Sequence, residues 1–432
     1  MKRKITIKLS EWKDSSRRQP LLVYGARQVG KTYVINEFGR NNYENVVYVN
    51  FETNLTVAAD FSNDISPEHI INCLEIFYKQ KIVPGKTLIF FDEIQSCERA
   101  LTSLKYFCET APEYHIIAAG SLLGVAFNRD KGSFPVGKVD MLHLYPLDLE
   151  EFLWAAGRET LTEEIRGCYA NNNSLSTMLH DAALNLYKEY LIVGGMPAVV
   201  NEYCKSKRLL DAANVQALIV DTYIADMAKY AAPAETTKIM AAFQSIPAQL
   251  AKDNRKFQYK IIQRGGSASI FGASIDWLCA AGLVIKCNKV EHGYMPPAAY
   301  QDFSSFKLYM GDVGLLTLKS GMSAHNILTA IEDHNTFIGA IVENYVADQL
   351  RVHRNELYYW DSAHTAKIDF IIQDGDKIIP VEVKSSAHTR SRSLSVYKEK
   401  YAPAYAIRIS AKNFGLENQI KSVPLYAVFC IA

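Results

Sequence analysis

The segment Gly25-Ala-Arg-Gln-Val-Gly30-Lys31-Thr32 constrains this chain more than any other feature. It fits the pattern G-x-x-x-x-G-K-[ST], in which backbone N–H groups converge on phosphate oxygens and glycine keeps side chains out of the way. The apolar run Pro20-Leu-Leu-Val-Tyr24 before it reads as a buried strand, and Tyr33–Phe38 after it continues as a helix. The positive end of that helix adds to the anion site. Gly25, Ala26, Arg27, Gln28, Val29, Gly30, Lys31, Thr32 and Tyr33 are therefore the expected ATP contacts. Lys31 would reach the β- and γ-phosphates, and the Thr32 hydroxyl would ligate Mg²⁺.

Alternating strands and helices extend from this loop. Val46–Phe51, Thr87–Phe91, His115–Ala119 and Val139–Leu144 read as strands, with helices at Pro67–Gln80 and Leu101–Thr110 and an amphipathic helix at Leu9–Arg18. Such alternation predicts a parallel sheet covered on both faces, an α/β P-loop NTPase core. The strand Leu88-Ile-Phe-Phe91 ends in Asp92-Glu93. A carboxylate there can hold the Mg²⁺ shell, assigned to Asp92, and Glu93 is placed to polarise the attacking water. Ser121 follows the fourth strand and would sense the γ-phosphate through water, or simply cap the strand. Arg129, in the stretch before the fifth strand, is the candidate for an arginine finger supplied to a neighbouring copy, with a solvated loop arginine as the plain alternative.

The rest of the chain reads differently. From Asp148 to about Met240 it is helical, interrupted by the turn Gly194-Gly195-Met196-Pro197. Ile261–Lys289 reads helix, turn, helix, strand, with Ser274–Gly282 as the second helix and Leu283–Cys287 as the strand, the outline of a winged helix. Phe337–Val352 is an expected helix with its apolar face in the core and Glu343 at its edge. Strands Leu357–Trp360, Ile368–Gln373 and Ile378–Lys384 follow, the latter two joined around Asp374-Gly375, then a polar helix Arg392–Lys400 and a strand Ala404–Ile409.

Asp369, thirteen positions before Glu382, and Glu382-x-Lys384 form D-x₁₂-E-x-K, with Glu343 upstream. Glu382 and Lys384 stand two apart on one strand and so share a face. Restriction-type phosphodiesterases use this arrangement: two carboxylates hold Mg²⁺ beside the scissile phosphate while the ammonium positions water. Glu343, Asp369 and Glu382 are the candidate metal ligands, and Asp369, Glu382 and Lys384 the candidate catalytic groups. Edge-strand Glu-x-Lys pairing explains the same letters without chemistry. Two basic stretches flank these modules: Lys252, Arg255, Lys256, Lys260 and Arg264, and Lys384, His388, Arg390, Arg392, Lys398 and Lys400. Both suit phosphate contacts or a solvated face. Tyr358, Tyr359 and Trp360 are read as sheet packing.

Taken together, several of these segments resemble one family, the prokaryotic AAA+-related ATPases fused to a C-terminal domain of unknown function. The segments are the phosphate loop with its internal Arg27-Gln28, Phe91-Asp-Glu-Ile-Gln95, Ala119-Gly-Ser121, Leu144-Tyr-Pro-Leu147 and Glu150-Glu-Phe152-Leu. Gly194-Gly-Met-Pro197, Thr222-Tyr-Ile-Ala-Asp226 and Lys307-Leu-Tyr-Met-Gly-Asp312-Val-Gly-Leu315 extend the likeness over nearly the whole chain. The resemblance implies an AAA+-like core and a region similar to PD-(D/E)XK restriction-endonuclease-like proteins. It also implies Gly-Arg before the fifth strand, where this chain has Gly137-Lys138; lysine keeps the charge without the planar fork.

The expected organisation is an AAA+-like core over 1–147, a helical lid or connector over 148–240, a winged-helix-like domain over 241–320 and a nuclease-like α/β domain over 321–432. The expected function is ATP hydrolysis with ATP and Mg²⁺, coupled to DNA through the C-terminal half, in a homo-oligomer if the finger acts between copies. A nucleotide switch with a non-catalytic binding domain and a ring-forming ATPase acting on protein are the rivals. A net charge of +1 gives no global field toward nucleic acid. Eight cysteines without a C-x-x-C pair, and without histidine at zinc-finger spacing, read as reduced thiols rather than a metal cluster. The charged N-terminus lacks an apolar run, and no segment approaches the roughly 18 apolar residues that span a bilayer, so the cytoplasm is the expected location.

Overall fold

The structure, a computed structural model, describes residues 1–121, 134–329, 336–354, 356–362, 366–386 and 392–431. The chain groups into two compact units. One comprises Lys2–Tyr145 with Ala280–Gly282, the other Pro146–Cys279 with Leu283–Ala432.

In the N-terminal unit, β1 (Leu21–Gly25), β2 (Asn45–Asn50), β3 (Thr87–Asp92), β4 (His115–Ser121) and β5 (Asp140–His143) form one parallel sheet in the order β2-β3-β4-β1-β5. Burial follows position. Every residue of β3 and β4 is buried, whereas the edge strands β2 and β5 keep partly exposed positions. Central parallel strands covered on both faces need continuous apolar runs, which Leu-Ile-Phe-Phe and Ile-Ile-Ala-Ala supply. The order places β4 between the phosphate-loop strand and the Asp92 strand, so three strand ends meet at one edge.

Helices Lys31–Asn42, Pro67–Tyr78 and Glu98–Thr110 lie where periodicity puts them. The first helix runs Ile5–Asp14 rather than Leu9–Arg18, because Ile5, Leu9 and Trp12 make the buried stripe at i, i+4, i+7. A six-residue helix, Leu55–Asp60, was not legible. His115 is a buried structural residue: its Nδ1 lies 2.8 Å from the Tyr43 hydroxyl, and burial, with Arg18 and Lys13 nearby, lowers it to about 4.

The second unit opens with helices Leu149–Ala155, Glu159–Asn171, Thr177–Val193, Pro197–Ser206, Leu209–Tyr230 and Pro233–Leu250. The break after Val193 is held by Asp312, whose Oδ2 accepts from the Gly195 N–H at 2.6 Å and whose Oδ1 accepts from the Leu315 N–H at 2.9 Å. The Leu147 N–H donates to the Gly195 carbonyl at 2.7 Å. A Cβ on Gly195 would stand 2.0 Å from the Leu147 carbonyl oxygen, and one on Gly314 2.6 Å from the Gly194 nitrogen. Three of the segments that carry the family likeness, at Leu147, Gly194-Gly195 and Asp312–Leu315, thus meet in one backbone crossing. Their glycines are dictated by close approach.

Beyond the helices lie the short helix Tyr259–Ile262, the helix Ala268–Ala280, and the antiparallel pair β6 (Val284–Val290) and β7 (Gln301–Met310). Helices Val313–Ser320, Ala324–Thr329 and Thr336–Arg351 follow. Then come β8 (Leu357–Asp361), β9 (Lys367–Asp374), β10 (Lys377–Val383), the helix Arg392–Tyr401, β11 (Ala406–Ser410), β12 (Gly415–Glu417) and β13 (Ile420–Pro424). All eight strands join one mixed sheet, β12-β13-β11-β10-β9-β8-β6-β7. Tyr358, Tyr359 and Trp360 are buried in it, as sheet packing requires.

The helix Thr336–Arg351 is buried on every described side from Ala340 to Leu350, polar residues included. Each of those finds a partner: the Asn344 Oδ1 accepts from the Met310 N–H at 2.7 Å, and the Gln349 Oε1 from the Leu149 N–H at 2.9 Å. Glu343 is therefore not at the edge of an apolar face, as expected, but 1% exposed. Among the described residues, no helix is long and apolar enough to cross a membrane.

Candidate functional site

The phosphate loop joins the end of β1 to the helix Lys31–Asn42. Gln28 and Gly30 both take positive φ (64° and 90°), which turns the loop back on itself. Gly25 is required for another reason than phosphate approach: a Cβ there would stand 2.2 Å from the Leu144 carbonyl oxygen beside β5. Lys31 is buried and its ammonium donates to the Gly25 and Ala26 carbonyls at 3.1 and 2.9 Å. Burial lowers it to about 8, against the raising effect of Glu93 and Asp92. The ammonium is held within the loop by groups that phosphate oxygens can replace.

Asp92 ends β3 and gathers three hydrogen bonds. Its Oδ2 accepts from the Thr32 hydroxyl at 2.8 Å and the Tyr48 hydroxyl at 3.0 Å, and its Oδ1 from the Glu93 N–H at 3.0 Å. Burial and the neighbouring Asp92 hold the Tyr48 phenol up at about 12. Tyr48 is a member of this site that the sequence reading missed; its position at the β2 end, beside the Asp92 strand, was the available signal. Glu93 takes left-handed backbone (φ 50°, ψ 44°) and its Oε2 accepts from the Gln95 amide. Ser121, at the end of β4 opposite Gly25, is buried at the same strand edge. Thr32 and Asp92 together suit a Mg²⁺ shell: a hydroxyl on the phosphate-loop helix and a carboxylate at the end of β3, already in contact. Tyr33 is exposed on the helix, and Lys138 pairs with Glu109 at 3.1 Å. Arg129 lies outside the described residues.

The C-terminal residues converge. Glu343, Asp369, Glu382 and Lys384 line one cleft of about 660 Å³ in the second unit, together with Arg255 and Lys307. β9 and β10 pair as an antiparallel hairpin across Gly375, which sets Asp369 beside Val383; the Asp369 Oδ2 accepts from the Val383 N–H at 2.8 Å. Glu343 is held by three donors: Lys307 Nζ at 2.8 Å, the Arg255 guanidinium and the Tyr309 hydroxyl. Burial lowers the Lys307 ammonium, with Asp369 opposing. Glu382 takes Arg408 at 3.2 Å on one oxygen and Lys384 at 3.3 Å on the other. The sequence reading missed the partners Arg255, Lys307 and Arg408 because they come from distant segments.

Of the two basic stretches, Lys252, Lys260 and Arg264 are exposed, whereas Arg255 is turned to Glu343. Lys398 donates to the Asn418 carbonyl at 2.6 Å and Lys400 stacks over Trp360. His388 and Arg390 lie outside the described residues.

The sequence reading found no metal cluster of cysteine and histidine, and it did not foresee one grouping that the fold makes. Asp60, His69 and Cys73 bring one ligand atom each within 4.8 Å of one another, the one such grouping of three among the described residues. The expected ligands Glu343, Asp369 and Glu382 do not form such a grouping.

Residues 17–153 match the family model of an AAA domain. Residues 184–326 match a domain of unknown function, DUF8612, and residues 338–428 another, DUF4143. A comparison with curated proteins found no match. Solved structures that the chain resembles include the Walker-type ATPase of Pyrococcus abyssi, at 13% identity and TM-score 0.44, over 73% of this chain and 94% of that one. RuvB of Thermotoga maritima follows at 14% identity and TM-score 0.31, over 65% and 87%. The Aeropyrum pernix ORC1 protein in complex with DNA gives 11% identity and TM-score 0.28, over 76% and 90%. The chain thus carries an N-terminal AAA-type P-loop ATPase domain followed by two domains of unknown function.

Proposed function

We propose that the chain hydrolyses ATP at the Lys31–Asp92–Glu93 site and couples its nucleotide state to DNA that the C-terminal half binds or processes. Mg²⁺–ATP, when bound, supplies the phosphoanhydride and the metal charge that offsets the developing negative charge. The chain's own groups do the rest. Lys31 would exchange its loop carbonyls for phosphate oxygens, Thr32 and Asp92 would hold the metal shell, and Ser121 would meet the γ-phosphate side. Glu93, aimed by its left-handed backbone and the Gln95 amide, would orient the attacking water and take its proton. Arg129 is retained as the proposed finger from a neighbouring copy.

One observation carries the DNA part: Glu343, Asp369, Glu382 and Lys384, far apart in sequence, line a single cleft. Two orders of elements support it. The helix Thr336–Arg351, the strands β8, β9 and β10, the helix Arg392–Tyr401 and a strand β11 parallel to β10 run in the order of a PD-(D/E)XK module. Before them, the helix Pro233–Leu250, a bridge between Lys256 and Lys307, two further helices and the β6–β7 pair run in the order of a winged helix. The helix Ala268–Ala280 exposes Ala268, Ser269, Ile270, Ala273 and Asp276, without a cation. Phosphate contact would come from Lys252, Lys260 and Arg264, giving salt-dependent binding with little base reading. On this reading 148–240 serves as the connector, 241–320 as the winged-helix-like segment and 321–432 as the nuclease-like segment. Asp369 and Glu382 would be the Mg²⁺ donors there, with Lys384 beside the water.

A second reading has its own observation. Two carboxylates of the cleft are already paired with cations, Glu343 with Arg255 and Lys307 beside the Tyr309 hydroxyl and Glu382 with Lys384 and Arg408. Such a self-neutralised site suits a nucleotide switch whose C-terminal half binds without cutting. A Mg²⁺/Mn²⁺-dependent cleavage assay on single-stranded, duplex and branched DNA, with and without ATP, decides between them. Cleavage lost in Asp369→Ala and altered in Lys31→Ala establishes coupled processing. Absence of cleavage with DNA binding intact selects the switch. A nucleotide effect on neither DNA binding nor cleavage overturns the coupling.

A further inference from the structure

Two helices of the ATPase unit, Leu55–Asp60 and Pro67–Tyr78, are joined by the connection 61–66. His69 and Cys73 are four residues apart on the second helix and so project from one face, one turn apart. Asp60 closes the first helix. The His69 Nε2 lies 3.1 Å from the Asp60 Oδ2 and 3.5 Å from the Cys73 Sγ.

Those separations have a meaning in coordination chemistry. Zn²⁺ bonds of about 2.0–2.3 Å to O, N and S at tetrahedral angles put neighbouring ligand atoms roughly 3.4–3.6 Å apart. The Nε2–Sγ separation of 3.5 Å has that spacing, and the 3.1 Å Nε2–Oδ2 hydrogen bond would open by a few tenths of an ångström to admit the ion. The three side chains are neither sealed nor fully exposed, with His69 32% and Asp60 35% exposed, so an ion can enter and a fourth position faces solvent. The neighbouring Asp64 adds negative charge while its own oxygens are taken by Ser66, at 2.8 and 2.9 Å.

We propose that Asp60, His69 and Cys73 form a binding site for a divalent transition metal, Zn²⁺ foremost, with three protein ligands and a fourth position open to water. Binding forms a metal–thiolate bond and releases the Cys73 proton to solvent. The metal ties the segment after β2 to the helix before β3. Asn50, at the end of β2, pairs with Asp92 at the end of β3, so the staple braces the strand pair that carries Asp92. Soft sulfur with imidazole selects Zn²⁺ over Mg²⁺, which keeps this site distinct from the Thr32–Asp92 pair.

The test uses the full chain, stripped with EDTA and titrated with Co²⁺ and then Zn²⁺. The proposal expects a thiolate-to-cobalt charge-transfer absorption that saturates at a single equivalent and is bleached by Zn²⁺. Cys73→Ser should abolish it, and His69→Ala or Asp60→Asn should weaken binding at least about tenfold, with metal-free melting temperature and ATP binding unchanged. Absence of the absorption in the wild type, or its persistence in Cys73→Ser, overturns the site. If Cys73→Ser does not fold, alkylation of the wild type by iodoacetamide gives the same answer. Zn²⁺ should protect Cys73, and equal labelling with and without Zn²⁺ rejects the proposal.

Discussion

The Thr32 hydroxyl donates a 2.8 Å hydrogen bond to the Asp92 carboxylate, joining the first turn of the phosphate-loop helix to the end of β3. The two residues are sixty positions apart, and their meeting turns two sequence motifs into one site. The roles at that site separate by substitution. Lys31→Ala should abolish ATP binding. Glu93→Gln should retain binding and lower turnover by about a hundredfold or more, the ordinary contribution of a general base. Equilibrium binding of a fluorescent ATP analogue beside steady-state turnover checks both.

The lowered Lys31 value carries a pH signature. In the nucleotide-free protein Lys31 loses its proton near 8, while phosphate oxygens favour the ammonium. ATP binding should therefore take up a proton above pH 8, and affinity should fall by up to about tenfold per pH unit toward the ordinary lysine value. Below pH 8 the affinity should not respond to this group. Folding stability moves the other way, rising with pH between 8 and 10.5, because the unfolded chain then holds the proton more tightly. Calorimetry at pH 9 in buffers of differing ionisation enthalpy reads the proton uptake directly.

At the crossing of Leu147, Gly195 and Asp312, Gly195→Ala should destabilise the second unit by about 3 kcal/mol. Its Cβ would stand 2.0 Å from a backbone oxygen that cannot move aside. A urea unfolding midpoint measures this, and the ATP affinity of the variant should be unchanged at temperatures where it is folded.

Glu343 and Asp369 line the same cleft but should behave differently. Glu343→Gln leaves the Lys307 ammonium and the Arg255 guanidinium without their shared anion in a buried place, and should cost about 3 kcal/mol of stability. Asp369→Ala removes a carboxylate whose mapped partner is one backbone N–H, and should cost much less while removing any metal-dependent activity. Unfolding midpoints of the two variants, compared side by side, check the difference.

What could be read from the letters was local. The phosphate loop, the Asp92-Glu93 strand end and the β9–β10 hairpin each sit in a continuous segment whose periodicity and turn residues decide its shape. Asp369 and Glu382 were found because both lie on one hairpin. Contacts made across the fold left no such trace. β7 was missed because its first half, Gln301-Asp-Phe-Ser-Ser305, is polar and partly exposed, and only its pairing with β6 makes it a strand. Arg255 stood in a basic stretch and Lys307 opened a segment of the family likeness, and neither pointed to Glu343 until the fold set it between them. The grouping of Asp60 with His69 and Cys73 had half a signal, the spacing of four on one helix. The short helix Leu55–Asp60 that brings in the third ligand is too brief to show its period.

The most direct measurement is steady-state ATP hydrolysis by the wild type and Glu93→Gln, with Mg²⁺, in the presence and absence of duplex DNA. The account predicts turnover by the wild type that DNA changes in a salt-dependent way, and a Glu93→Gln protein that binds ATP and does not turn it over. Equal turnover by both proteins would contradict the site. Wild-type turnover indifferent to DNA at every salt concentration would contradict the coupling.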